Sequence, residues 1–317
     1  MQHSKFAGIF WHETLMHIPQ VSVVIPTYNH AQFLGPALQS VCAQTFTDWE
    51  AIVVNNYSED NTAEVVASFN DPRIRLVNFR NHGVIAASRN EGSRLASGKW
   101  VAFLDSDDLW YPEKLAQCVA AISSGFDLVC HGENWTQEGF TPRKILYGPA
   151  ERATYAQLLF NGNCISTSAT MVRRDTLMRV NGFREEPRFV TVEDYDLWLR
   201  LARVGARIGF VTNILGEYRI HGANASKALL RSLEAELAVL ADHFTTLAPP
   251  GILSKLRMRR RRGLVYYSAG RGFQAAGKPR DAWHWFGCAL RESPFILRLY
   301  AAALINAAAH SKQFFAI

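Results

Sequence analysis

Three carboxylates fall within four residues at Asp105-Ser106-Asp107-Asp108, directly after the apolar run Trp100–Leu104. Carboxylates this close repel one another unless a cation or solvent relieves them. A hard divalent ion, Mg²⁺ or Mn²⁺, held by oxygen ligands and itself holding a diphosphate, suits the cluster. Helix capping is the competing use, since Asp107 or Asp108 can cap a helix opening at Tyr111-Pro112-Glu113. On these residues alone the two readings stand level. A second acidic pair, Glu193-Asp194, opens a helical run, where a carboxylate either takes a proton from a hydroxyl or complements the positive helix end. His221, after Tyr218-Arg219-Ile220, is a metal ligand or a structural hydrogen-bonding histidine. Arg89 in Arg89-Asn90-Glu91-Gly92 is a phosphate or ribose contact, or a plain surface helix residue.

These groups need a rim to sit on, and the alternation of elements supplies one. Apolar β-branched runs at Val21–Ile25, Glu50–Val54, Arg73–Val77 and Trp100–Leu104 read as strands. Helical stretches separate them at Ala31–Ala43, from the cap candidates Ser58 and Asp60 to Ala67, and at Val84–Ala96. Strands spaced by helices of that length predict an α/β fold, a Rossmann-like, mostly parallel sheet flanked by helices. Ligands of such sheets bind beyond the strands' carboxyl ends. The acidic cluster, the turn Pro26-Thr27-Tyr28 and the amides after Val54 all fall there. A helix over Pro112–Ser123 and a strand at Asp127–Cys130 follow. Residues 131–170 are rich in Gly, Asn, Thr and Ser, as expected of loops or antiparallel ribbons around a site. Helices at Arg174–Val180 and Glu193–Val204 and short strands at Arg207–Val211 and Ile214–Ile220 close this body near Ser226.

The order of these motifs resembles the family 2 nucleotide-sugar glycosyltransferases of GT-A fold, over about residues 20–226. The resemblance implies that Pro26, Thr27 and Tyr28, with Asn55 at the end of the second strand, hold the nucleoside. It implies that Asp105 and Ser106 of an Asp-x-Asp element meet the donor, with Asp107 binding the metal on its diphosphate. It implies Glu193-Asp194 as the catalytic pair, Asp194 being the base, and Arg89 stays a donor contact on its own reading. His221 completes the metal or diphosphate contact, and Asp108 is left as the helix cap. One base without an evident second nucleophile implies inversion. Asn55 departs from the family's usual Asp; its carbonyl can still accept from a uracil N–H, but its NH₂ also donates. UDP- or dTDP-sugars are the implied donors and a glycan or lipid-linked hydroxyl the acceptor. A non-catalytic nucleotide-sugar or glycan-binding relative is the alternative of another class. A nucleotidyltransferase lacks support, because Pro26-Thr27-Tyr28-Asn29 stands where its Gly-rich phosphate loop belongs.

Bulk properties bound the rest. With 317 residues and 48% hydrophobic content the chain can hold one large domain and an appendage. We expect an N-terminal extension over 1–20, a transferase domain over 21–226 and a basic, all-helical C-terminal region over 227–317. The net charge of +6 is uneven, because residues 227–317 carry fourteen Lys and Arg against five Asp and Glu. Five cysteines without a C-x-x-C pair argue against a zinc site or disulfide framework. The run Phe6–Trp11 is too short for a signal-peptide core and no segment approaches a bilayer span. We therefore expect a cytoplasmic catalytic body. The arginines of Arg257–Arg262 are unaccompanied by a nucleic-acid motif, so no nucleic-acid partner is expected. They form either a solvated helix face or, with the apolar Phe295–Ile305, a peripheral contact of 251–317 with the anionic inner membrane face.

Overall fold

The computed structural model describes residues 17–221, 229–247 and 251–314. Most of the expected N-terminal extension, including Phe6–Trp11, and the expected boundary at Ser226 lie outside the described residues. Strands β1 (Val21–Thr27), β2 (Trp49–Asn55), β3 (Ile74–Asn78) and β4 (Trp100–Phe103) pair in parallel in the order β3-β2-β1-β4. Helices α1 (Ala31–Cys42), α2 (Thr62–Ser68) and α3 (Ile85–Leu95) make the crossovers. β1 and β4 are buried throughout, which explains their unbroken apolar runs. Small residues let α3 lie close on the sheet: a Cβ at Gly92 would run into the Val24 side chain.

Beyond β4 the sheet continues through β8 (Thr170–Arg173), β6 (Leu128–Gln137), β9 (Ile208–Ile220) and the short β5 (Leu109–Trp110). β8 runs antiparallel to both β4 and β6, while β7 (Arg143–Ile145) forms a ribbon with β6. β9 joins the two short strands expected separately. Its pairing with β6 skips from His131↔Val211 to Gly132↔Ile214, so Thr212 and Asn213 are bulged out between them. Helix α4 (Lys114–Ile122) starts later than the sequence pattern implies, and its N-cap residue Glu113 makes no side-chain cap bond. The expected caps of α2 also differ. Asp60 accepts from Thr62 N at 3.1 Å and from Ala31 N at 2.9 Å, so it ties the starts of two helices together.

Helices α5 (Tyr155–Asn161), α6 (Arg174–Arg179) and α7 (Glu193–Arg203) pack on the far half of the sheet. The C-terminal region is helical: α8 (Leu229–Thr245), α9 (Ile252–Ala275), α10 (Pro279–Glu292) and α11 (Leu297–Phe314). It shares the body's core, since Leu233, Val239, Leu240, Met258 and Val265 belong to the buried cluster of Phe160, Tyr195 and Trp198. Trp198 is fully buried, a core residue. Nor is the arginine run a uniform surface face. Arg261 is buried and pairs with Glu236, and Arg262 pairs with Glu292 at 3.0 Å.

Candidate active site

The carboxyl ends of β1 and β4 and the start of α7 open on a cavity of about 940 Å³. That volume lies at the upper end of ordinary ligand sites. Pro26, Thr27 and Tyr28 line one side, as their place at the end of β1 requires. Tyr28 is half exposed there, while the buried Thr27 Oγ1 has no partner among the described residues. Asn55 does not line the cavity, contrary to the nucleoside contact expected of it. Its Oδ1 accepts from Ser58 N at 3.0 Å and from Ser58 Oγ at 2.6 Å. Its Nδ2 donates to Asn78 Oδ1 at 2.9 Å. A backbone N–H can only donate, so the amide orientation is fixed and its carbonyl is already engaged. Asn56 lines the cavity instead.

The acidic loop divides its labour. Asp105 accepts from Arg89 at 2.6 Å, and Ser106 Oγ lies 3.1 Å from His30 Nδ1. Asp107 Oδ2 meets His221 Nε2 at 2.9 Å, and the His221 ring stacks on Phe33 with centroids 4.5 Å apart. Asp108 caps no helix. It is buried and accepts from Ser168 Oγ at 2.6 Å and from Arg219 N at 3.0 Å. Burial, together with the charges of Asp107, Glu133 and Asp105, pushes its carboxyl well above the usual range. Asp108 therefore fastens the loop to β8 and β9.

Arg89 is 4% exposed and bridges the two acidic motifs, reaching Asp105 and Glu193 at 2.6 Å each. Burial works against its charge, yet Asp105 and Glu193 more than offset this and hold its pKa above normal. Arg89 thus braces the loop after β4 against α7, and it lines the cavity with its Nε unpartnered among the described residues. Glu193 completes the brace, its second oxygen accepting from Thr191 N at 2.8 Å. Glu193 and Asp194 both line the cavity, and Asp194 is the one not engaged by Arg89. Its Oδ2 accepts from Thr167 Oγ1 at 3.0 Å and its Oδ1 from Tyr195 N at 2.7 Å. Burial and the neighbouring Glu193 charge raise its pKa from 3.8 to about 6, with Arg89 opposing them. A carboxylate so tuned is ionised at neutral pH and still basic enough to accept a proton.

Among the described residues no group of three or more His, Cys, Asp or Glu side chains is arranged to hold a metal. The donor set Asp107 and His221 nonetheless fits Mn²⁺ or Mg²⁺, which commonly bind one or two protein groups and complete their shell with substrate phosphates and water.

The sequence reading missed the wall facing the donor side. Trp135 of β6 and Tyr218 of β9 are register partners with ring centroids 5.2 Å apart, and both line the cavity. Trp135 Nε1 donates to Tyr147 Oη at 3.2 Å, and that hydroxyl donates to the buried Glu133 at 2.7 Å. Burial raises Glu133 to about 7. Nearby, Lys114 Nζ sits 3.4 Å from the Trp110 ring centroid, and burial lowers its pKa to about 8. Only the Gly-, Asn-, Thr- and Ser-rich composition of residues 131–170 hinted at this wall.

Fold and site together define an enzyme that holds a nucleotide-sugar and transfers its sugar. The comparisons agree. Residues 22–180 match the family model described as "Glycosyl transferase family 2". Two Escherichia coli UDP-Glc:alpha-D-GlcNAc-diphosphoundecaprenol beta-1,3-glucosyltransferases are similar to the chain. WfgD is 30% identical over 228 residues, covering 70% of this chain and 85% of its own. WfaP is 24% identical over 220 residues, covering 69% and 85%. Among solved structures, S. aureus TarS 1–349 in complex with UDP-GlcNAc superimposes with a TM-score of 0.66 at 18% identity, over 92% of this chain and 89% of that one. The Pyrobaculum calidifontis mannosyltransferase PcManGT, in complex with GDP-Man and Mn²⁺, gives 0.60 at 18% identity over 94% and 88%. This chain belongs to glycosyltransferase family 2, with a GT-A fold extended by C-terminal helices. It is a glycosyltransferase acting on a nucleotide-sugar donor.

Proposed function

We propose that the enzyme transfers a hexose from a UDP- or dTDP-sugar to a hydroxyl of a lipid-linked glycan, with inversion and with a divalent cation. The observation that carries this is Asp194, a raised-pKa carboxylate lining the cavity beside the Asp105–Asp107 loop. Asp194 takes the proton from the acceptor hydroxyl as that oxygen bonds to the anomeric carbon. The bond from that carbon to the diphosphate oxygen breaks, the nucleoside diphosphate departs, and Asp194 later gives its proton to solvent. Asp107 and His221 would hold the cation, which supplies positive charge against the departing diphosphate. Arg89 and Glu193 keep Asp105 and Asp194 in register. Thr27 and Tyr28 face the nucleoside, and the aromatic wall of Trp135 and Tyr218 faces the acceptor. A lipid-linked acceptor is supported by the reaction named for the E. coli relatives.

It is supported also by one end of the helical unit. Ile252, Leu253, Leu256, Phe295 and Leu297 are all exposed, and Lys255, Arg259 and Arg260 accompany them. Arg259 pairs with Glu292, which places the start of α9 beside the α10–α11 turn. We infer peripheral contact of this end with anionic lipid. No helix among the described residues is long and apolar enough to cross a membrane.

The test is a panel of UDP-, dTDP- and GDP-sugars read by thermal shift with Mn²⁺, then mass spectrometry of products with sugar-diphosphate-lipid acceptors. A stabilising donor whose sugar appears on the acceptor is the expected result. Stabilisation by nucleotide-sugar without transfer or hydrolysis, or no stabilisation by any, overturns the reading.

A further inference from the structure

Thr191 lies three residues before Asp194, and its backbone is held at φ 89°. Among the described residues the other non-glycine residues at positive φ are Asn, Tyr and His at 47–59°, in or beside the left-handed region. Thr191 is β-branched and well outside it, a conformation that costs free energy and persists only when its surroundings enforce it. Glu193 does the enforcing, since its Oε2 accepts from Thr191 N at 2.8 Å while Oε1 is fixed by Arg89. The Thr191 hydroxyl is buried, Thr191 lines the cavity, and the hydroxyl bonds nothing among the described residues. A glycine would take this backbone without strain, and no intramolecular bond requires the hydroxyl.

We propose that Thr191 is an acceptor-specificity residue, its hydroxyl bonding a hydroxyl of the acceptor sugar next to the one that attacks. This rests on Asp194 being the base. The attacking oxygen must come to Asp194, at N2 of α7, and a pyranose presenting that oxygen brings its neighbouring hydroxyls along the same wall. Thr191 is the wall's unspent hydroxyl on the α7 side, as Thr27 is on the donor side. Thr167 already donates to Asp194. The chain thus keeps a strained threonine where an unstrained glycine would serve the fold alone.

The test compares Thr191→Val, Thr191→Ser and Thr191→Gly in the full chain, with three measurements. Donor hydrolysis by water reads the donor site and the base, transfer to the acceptor identified by mass spectrometry reads the subsite, and thermal melting reads strain. Thr191→Val keeps shape and strain and removes an unpaired buried hydroxyl, so it melts no lower than wild type and hydrolyses donor at the wild-type rate, while kcat/KM for the acceptor falls about tenfold, the effect of one lost hydrogen bond. Thr191→Ser keeps most of the transfer. Thr191→Gly melts about 2 °C higher and transfers as poorly as Thr191→Val. Wild-type transfer by Thr191→Val, parallel loss of hydrolysis and transfer, or no gain in melting for Thr191→Gly overturns the proposal. A wild-type protein that neither hydrolyses nor binds any donor overturns instead the reading beneath it, and the glycine arm still reports on the strain.

Discussion

The pKa of Asp194 makes the pH profile a direct probe of its role, and Thr167 offers a way to move it. With a pKa of about 6 rather than 3.8, roughly a tenth of the base is ionised one unit below that midpoint, so kcat/KM falls about tenfold there. Thr167 Oγ1 donates to Asp194 Oδ2 at 3.0 Å, a bond that favours the ionised form. A hydrogen bond to a charged group is worth about 1.5 kcal/mol or more, and 1.36 kcal/mol corresponds to one pKa unit. Thr167→Val therefore shifts the acid limb of kcat/KM upward by about one unit while leaving the alkaline plateau largely intact. The assay is nucleoside-diphosphate release at sub-saturating donor, which reports free-enzyme pKa values. A second readout follows from linkage. Between 3.8 and about 6 the folded chain holds a proton at Asp194 that the unfolded chain has lost. Stability therefore falls across that window, and the cost is fully present at neutral pH. Asp194→Asn removes it, so this variant melts above wild type at pH 7 while losing turnover. A wild-type limb near the ordinary carboxylate value, or superimposable profiles for wild type and Thr167→Val, would refute the assignment.

Asp107→Asn abolishes Mn²⁺-dependent stabilisation by the donor, and His221→Ala weakens it, both read by thermal shift with and without metal; unchanged stabilisation in both removes the metal assignment. Arg89→Lys reaches only one of two carboxylates and leaves the other buried, so chemical denaturation shows a loss of about 3 kcal/mol or more. His243→Ala takes a partner from the fully buried Asp196 on α7, 3.2 Å away, and lowers kcat with little change in donor affinity. Leu253→Glu combined with Phe295→Glu leaves donor hydrolysis intact and prevents flotation with phosphatidylserine vesicles; flotation as in wild type counts against the lipid contact.

Much of the parallel half was legible because β1, β2 and β4 are buried on both faces and written as largely apolar runs, with helices of ordinary length between them. The rim motifs followed from that, as the carboxyl ends of β1 and β4 carry Thr27 and Asp105 to one cavity. What stayed hidden depends on distant pairing. Arg89 lies 104 residues from Glu193, and no local pattern announces that it spans two carboxylates rather than a phosphate. The resemblance implies a base contact at Asn55, yet an Asx-type bond to Ser58 engages its amide within the chain. Asp108 carried a plausible capping signal, and only the folding of β8 and β9 against the loop gives its carboxylate other donors. The aromatic wall was invisible because Trp135 and Tyr218 are neighbours solely through the β6–β9 register.

The C-terminal helices change meaning for the same reason. As sequence they are a basic, Ala-rich tail that a transferase domain could lack. In the structure they pack against α7, the helix that carries Asp194. Asp196, buried with Arg200 at 2.7 Å and Arg184 at 3.3 Å, needs His243 of α8 for its remaining partner. Arg184 and Arg188 in turn converge on Asp242 of α8 at 2.8 and 2.9 Å. Tyr195, next to Asp194, packs under the Arg261 guanidinium of α9 with its hydroxyl bonded to Leu158 O at 2.7 Å. One arginine of the basic run thus holds the catalytic helix while others stay exposed beside the apolar end. The exposed apolar end and the arginine packed on Tyr195 belong to one helix, α9, so the segment that reads as an appendage is part of what positions Asp194.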